Sequence, residues 1–414
     1  MTDQQTGPAS PLKITLRPRK SRPFFARHPW LFADSIAKVE GDSRNPAEAS
    51  IYSAEGAFIA RGLFNPASKL RVRLYRWADE PLDAHFWATT LEKALALRCD
   101  LPPLHPDDNA RRLVFSEADG VSGLVVDELG PWLACQFTSL ALWQHRTVVE
   151  DVLALKFPCH GLIRLGDSST AEKEGFSAAE TEPTLVKGDP AAASETVIQH
   201  GGLKFAVSLL GGQKTGFFLD QGQNRRRVAA YAAVRSVLDL FCYSGGFALA
   251  AAAGGAKSVL GVDSSKQAIA LAEKNRELNC ISNDICQFQP NDVAKALKKL
   301  REAGEQFGLV VCDPPKYARS RENLPDALKA YARLNENALA VTAPGGFLAT
   351  FTCSGDGNRM IRRLAQRFQH LQLSAGGQGR LGQCIVKHRR FNHARACESG
   401  QKSARGRYGQ GIFI

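Results

Sequence analysis

Between Val237 and Asp263 the chain reads VLDLFCYSGGFALAAAAGGAKSVLGVD. An apolar run containing Asp239 is followed by a Ser-Gly-Gly turn, an alanine-rich stretch with strong helix propensity, and a second apolar run ending in Asp263. Such a strand–turn–helix–strand unit is satisfied in a parallel α/β sheet, because parallel strands need a crossover between them. The parts also suit a nucleoside ligand. Gly245 and Gly246 let the backbone come close to it, and a carboxylate at Asp263 can accept hydrogen bonds from ribose hydroxyls. A dinucleotide fingerprint would read G-x-G-x-x-G, and a phosphate loop would read G-x-x-x-x-G-K-[ST]. Cys242-Tyr243-Ser244-Gly245-Gly246-Phe247 is neither, which favours S-adenosylmethionine (SAM), a nucleoside cofactor without phosphate. An ordinary βαβ unit with no ligand is the plainer alternative.

The alternation continues downstream. Strands are expected at Val237–Phe241, Ser258–Asp263, Ile285–Gln289, Leu309–Asp313 and Phe347–Thr352, with helices between them over 264–279 and 326–341. Ligands of such sheets bind outside the carboxyl ends of the strands. The spacing predicts Asp239, Asp263, Asp313 and Cys353 on that one rim. Asn291 and Asp292 follow the third strand, where they contact an adenine amine or cap the next helix. Upstream, GQKTGFFLDQGQNR places Phe218 and Asp220 in a polar segment that either covers the cofactor or begins a helix at Asp220.

CDPPKYAR is a second signal. Pro314 and Pro315 fix an extended turn without N–H donors beside Asp313, suited to holding a planar base edge together with Lys316 and Tyr317. In enzymes that methylate exocyclic amines, an aromatic residue occupies the position held here by Lys316. A third signal is Cys353, directly after the fifth strand. A thiolate there can add to carbon 6 of a pyrimidine and make carbon 5 nucleophilic, with Asp313 stabilising the charge that develops; a structural thiol is the plainer alternative. Cys99, Cys135, Cys159, Cys280, Cys286 and Cys384 read as small buried hydrophobes, Cys242 and Cys312 as structural, and Cys397 carries no evident role.

The 414 residues leave room for two or three domains, and 44% apolar and 23% charged residues are ordinary for a soluble globular chain. No apolar run approaches a membrane span, and the N-terminus lacks an apolar signal core. Ten cysteines without C-x-x-C or zinc-type spacing suit a reducing cytoplasm and no metal site. The net charge of +12 favours a polyanion. Lys13, Arg17, Arg19, Lys20, Arg22 and Arg27 crowd the start among Phe24, Phe25 and Trp30. Arg225, Arg226 and Arg227 form a second cluster, and the tail from Arg380 to Arg407 a third.

Three regions are expected: a β-rich module over 11–82, an α+β region over 83–195 and an α/β domain over 196–414. Helices are expected over 85–98 and as one element over 141–157. An acidic Ala/Ser-rich connector is expected over 171–195.

LRPRKSRPFFARHPWLFADSI, FSEADGVSGLVVDELGPWL, GQKTGFFLDQGQNRRRV, DLFCYSGGF, Asn291-Asp292, DPPKYAR and TCSG occur in this order. Together they resemble the bacterial 23S ribosomal RNA cytosine-C5 methyltransferases of the large subunit, from the N-terminus to about Gly355. The resemblance implies an N-terminal PUA RNA-binding domain, a small central α+β domain and a Rossmann-like class I methyltransferase. It implies SAM as methyl donor, held by the Gly245-Gly246 turn, Asp263, Asp292 and Asp313. It also implies Cys353 as nucleophile, ribosomal RNA as partner, and leaves a homodimer open. Two rival functions are methylation of an exocyclic amine or a purine without covalent catalysis, and a non-catalytic RNA-binding assembly factor.

Overall fold

The computed structural model describes residues 11–157, 159–210, 216–317, 324–352 and 410–413. Cys353, the basic tail from Arg380 to Arg407 with Cys384 and Cys397, and Gln213 and Lys214 lie outside the described residues.

The N-terminal module is a six-stranded sheet of β1 (Leu12–Leu16), β2 (Trp30–Leu31), β3 (Ile36–Glu40), β4 (Ala47–Tyr52), β5 (Phe58–Phe64) and β6 (Val72–Arg76), in the order β2-β6-β5-β4-β1-β3. Alternation in β1 sends Leu12, Ile14 and Leu16 into its core. A short helix, α1 (Arg22–Phe25), leaves Phe25 exposed.

The second sheet runs β11-β10-β9-β8-β7, built from β7 (Ala110–Phe115), β8 (Leu124–Leu129), β9 (Trp132–Phe137), β10 (Gly161–Leu165) and β11 (Thr184–Lys187). Helix α2 (Ala84–Cys99) covers it, started by the Asp83 side chain accepting from Phe86 N–H. The single helix expected over 141–157 is broken into α3 (Leu140–Trp143) and α4 (Arg146–Lys156). His145 takes a non-helical conformation between them, and its ring packs on Trp87 at 5.5 Å. The expected connector over 171–195 is structured. It holds α5 (Ser168–Glu174), α6 (Ala178–Thr181), β11 and α7 (Pro190–Ser194). Local caps explain the departure: Ser177 and Glu180 form a reciprocal capping box, and Asp189 caps a helix with proline in its first turn.

A hairpin of β12 (Thr196–His200) and β13 (Leu203–Val207) precedes α8 (Gly222–Ala232) and the third sheet. That sheet comprises β14 (Ser236–Leu240), β15 (Ser258–Asp263), β16 (Cys286–Pro290), β17 (Phe307–Cys312), β18 (Thr342–Thr352) and β19 (Gln410–Phe413), in the order β16-β15-β14-β17-β18-β19. Only β19 runs antiparallel to its neighbour. The crossovers are α9 (Gly246–Ala253), α10 (Lys266–Leu278), α11 (Val293–Glu302) and α12 (Leu324–Ala340). Both faces are covered, so strand side chains feed two cores. Val237 packs with α9, whereas Leu238 and Leu240 pack with α11 and α12. The chain leaves β14 toward β15 and returns to β17 on its other side, so the strand order reverses beside β14, where open α/β sheets form their binding crevice.

Candidate active site

Register fixes the rim. Leu240 aligns with Val262 on one side and Cys312 on the other. One step further come Phe241, Asp263 and Asp313. Asp239 lies a step below Leu240 and is fully buried. The rim expected to carry Asp239 therefore does not. Its Oδ2 accepts from Ala248 N–H at 2.9 Å, which anchors the first turn of α9, and its Oδ1 has no partner among the described residues. Burial, reinforced by Asp313 and Asp263, pushes its carboxyl well above the usual range.

The turn after β14 is tightly shaped. Phe241, Tyr243 and Gly245 take left-handed φ of 62°, 48° and 80°. A Cβ at Gly245 would lie 2.8 Å from the Phe288 ring, so packing as well as conformation demands glycine there. Gly245 stands just ahead of α9, which begins at Gly246. Ser244 is buried, and its carbonyl accepts from Asn275 at 3.0 Å. Asp263 ties turn to strand: Oδ2 accepts from Tyr243 N–H at 3.0 Å and Oδ1 from Ser265 N–H at 2.9 Å. Asn291 N–H donates to the Asp263 carbonyl at 2.9 Å. The helix-cap alternative for Asp292 is realised, with its Oδ1 accepting from Lys295 N–H at 3.0 Å.

Across the crevice, Asp313 follows β17 and its Oδ2 accepts from Gln221 Nε2 at 3.0 Å. Pro314 is buried, while Pro315 and Lys316 are exposed. Tyr317 is half-buried against Tyr331, with ring centroids 4.7 Å apart, and its backbone N–H donates to the Tyr331 hydroxyl. Burial pushes the Tyr317 phenol up to about 12.

The segment before α8 forms one wall. The Phe218 and Tyr243 rings meet edge to face at 5.5 Å. Asp220 is exposed, in a tight 3-10 turn over Leu219–Gln221 that leads into α8 at Gly222. Arg225, read with Arg226 and Arg227 as a basic surface cluster, is buried. It donates to the Phe218 carbonyl at 2.6 Å and stacks on the Phe217 ring at 4.6 Å. Burial pushes its guanidinium down to about 10. Of the three arginines, Arg226 alone is exposed. Gln221, Asn224 and Arg225 are contributors that sequence reasoning did not assign to the rim. The signal was the excess of amides beside Phe217 and Phe218, but the partner that ties them to the rim, Asp313, lies 92 residues away in sequence.

Burial disfavours ionisation of the thiols in and beside β14, β16 and β17. Burial raises Cys242 and Cys312, and Cys286 is pushed up to about 12. Cys99 and Cys280, expected to be buried, are exposed, and Cys159 is partly so. Both exposed residues sit at helix ends, where the apolar period has run out.

The donor set fits SAM. An acidic strand tip, a glycine turn at a helix start, and a polar turn at Asn291-Asp292 line one side of the crevice. Residues 178–368 match the family described as S-adenosylmethionine-dependent methyltransferase, and residues 14–77 match the PUA-like domain. A ribosomal RNA large subunit methyltransferase I from Pseudoalteromonas atlantica is 34% identical over 344 residues, 83% of this chain and 86% of its own length. The chain belongs to that family. A Vibrio cholerae member is 36% identical over 80% of this chain and 82% of its own. The chain is accordingly a SAM-dependent methyltransferase. Its fold is shared with a methyltransferase structure, SMU.776, solved with SAH: TM-score 0.73, 21% identity, 86% of this chain and 90% of that one. Among the described residues no helix is long and apolar enough to cross a membrane, and no cluster of metal-ligating side chains occurs.

Proposed function

We propose that this enzyme methylates carbon 5 of a cytidine in large-subunit ribosomal RNA, with Cys353 as nucleophile. The substrate class follows from the relatives, which are named for the large ribosomal subunit. The atom rests on one observation. β17 and β18 pair in parallel with Cys312 opposite Thr350, and the sequence runs from Thr352 directly into Cys353.

In this reading Asp263 takes the ribose, and the turn of Tyr243, Ser244, Gly245 and Gly246 flanks the donor. Asn291 and Asp292 meet the adenine, while Phe218 and Asp220 cover the pocket. Asp239 acts beneath this set by fixing the start of α9. SAM supplies an electrophilic methyl group. The Cys353 thiolate bonds to carbon 6 of the base, and the electron pair of the 5,6 double bond makes carbon 5 nucleophilic. Asp313 accepts a hydrogen bond from the base amino group and holds the ring during addition. Once carbon 5 carries the methyl group, its proton passes to a solvent base. The released pair re-forms the double bond and expels the thiolate. Pro314, Pro315 and Lys316 shape the entry for the base. Tyr317, packed on Tyr331, lends this segment rigidity. The exocyclic-amine alternative is disfavoured because it needs an aromatic ring where this chain has Lys316.

The N-terminal module suits RNA. Lys13, Arg17, Arg19, Lys20, Arg22 and Arg27 are all exposed, and Phe25 and Phe32 are 50% and 45% exposed beside them. Cations read phosphates and exposed rings stack on unpaired bases. Mapping methylated nucleotides in ribosomal RNA from cells with and without the protein tests the proposal. Loss of one 5-methylcytidine supports it, and an unchanged map or loss of an N-methylated base overturns it.

A further inference from the structure

We infer that Gln221 is a positioning residue for methyl transfer: its side-chain amide, satisfied at its other end by Asn224, holds the Asp313 carboxylate as a hydrogen-bond acceptor in one rotamer. The inference rests on the assignment of Asp313 to the target base made above. Gln221 Nε2 donates to Asp313 Oδ2 at 3.0 Å, and Gln221 Oε1 accepts from Asn224 Nδ2 at 2.7 Å. Both amides are more than nine-tenths buried, with 7% and 9% of their surface exposed.

A glutamine alone is ambivalent, since it can present either its oxygen or its NH2 group. The Asp313 carboxylate, which only accepts, removes the ambiguity, and Asn224 satisfies the other end of the amide. With the Asn224 NH2 on Oε1, turning Gln221 over would set donor against donor at one end and oxygen against carboxylate at the other. Out of water, both mismatches are costly. Asn224 lies one helical turn after Gln221, so that contact is built into the start of α8. Asp313 lies 92 residues away in sequence, so the bond also pins the segment before α8 to the end of β17.

A carboxylate held as acceptor favours a base that presents an amino group. A carbonyl in the same place meets oxygen against oxygen. Without the relay Asp313 loses this restraint, and base alignment suffers more than SAM binding, which Asp263 and the Gly245-Gly246 turn also carry.

The test is full-length Gln221→Met, which keeps chain length and removes both hydrogen-bonding groups. Its single-turnover rate on a large-subunit ribosomal RNA fragment is expected to fall about 10- to 100-fold, with SAM affinity by titration calorimetry within about twofold of wild type. An unchanged rate overturns the inference, as does a SAM affinity that falls in step with the rate. If that variant does not fold, Gln221→Glu decides: an acceptor facing Asp313 should slow turnover at least as much, and wild-type turnover overturns the relay. A wild-type protein that methylates no cytidine sinks the functional reading itself. Active wild type with an equally active Gln221→Met sinks only this inference.

Discussion

Single residues show how far side-chain chemistry can be read before the partners are known. Asp263 and Asp313 were legible because a strand-end carboxylate is visible in the sequence, and register places both one step beyond the Leu240 row. Asp239 carries the same signature yet serves inside the sheet. Two residues of strand length separate a rim group from a buried one. Its raised carboxyl pKa has a consequence for stability. The folded state keeps the proton to higher pH than the unfolded chain, so stability declines as pH rises above about 4, the unfolded value, toward the folded one. Asp239→Asn retains an acceptor for Ala248 N–H and removes that charge. The melting temperature of the variant relative to wild type is expected to rise as the pH is raised above about 4 and to level off once the folded carboxyl has ionised. A difference independent of pH would show that burial of the charge is not the cause. On the cofactor side, Asp263→Ala removes the acceptor of two backbone amides as well as the proposed ribose partner. It is expected to weaken SAM binding about tenfold or more in titration calorimetry, and unchanged affinity would remove Asp263 from the pocket.

Among elements, the parallel sheet was the most legible part, because each strand is a short apolar run and each crossover an amphipathic or capped helix. α10 and α11 begin at Ser265 and Asp292, whose side chains accept from Ala268 and Lys295 N–H. The split between α3 and α4 and the structured 171–195 region were less legible. Both depend on local caps and on packing against Trp87 or the sheet edge, neither of which has a period. The turn between α8 and β14 carries a local strain. Val234 takes φ 56°, a left-handed conformation that a β-branched residue resists, and it is 83% exposed. Its N–H still donates to the Gly255 carbonyl at 2.8 Å, which keeps the turn closed. Val234→Gly should therefore raise stability by about 1 kcal/mol, read from the urea midpoint with the slope unchanged. A lower midpoint would mean that the flexibility gained by the unfolded chain dominates.

For the whole molecule, the distinctive FSEADGVSG string acts as a joint. Glu117 accepts from Trp30 Nε1 at 2.8 Å and Ser122 Oγ at 2.6 Å, and the Tyr75 hydroxyl donates to the Ser122 carbonyl at 2.6 Å. Arg73 reaches Glu174 at 3.0 Å, and Glu174 also accepts from Ser68 at 2.8 Å. This buried network fixes the N-terminal PUA-like module to the central sheet, so a missing partner leaves a stranded charge. Glu174→Ala is expected to lower the melting temperature by several degrees, corresponding to about 3 kcal/mol. Cooperative unfolding at the wild-type temperature would show that the joint contributes little. The order of the modules was legible in the sequence, but this joint was not, because Arg73 and its carboxylate partner Glu174 lie 101 residues apart. The central claim joins all three scales: a base delivered by the basic module meets Asp313 on one strand end and Cys353 beyond the next. The most direct measurement is reaction of the protein and SAM with ribosomal RNA containing 5-fluorocytidine, whose carbon 5 has no proton to lose. The account predicts a SAM-dependent adduct that survives denaturation and is absent in Cys353→Ala. Methyl transfer to this RNA without any adduct would contradict it.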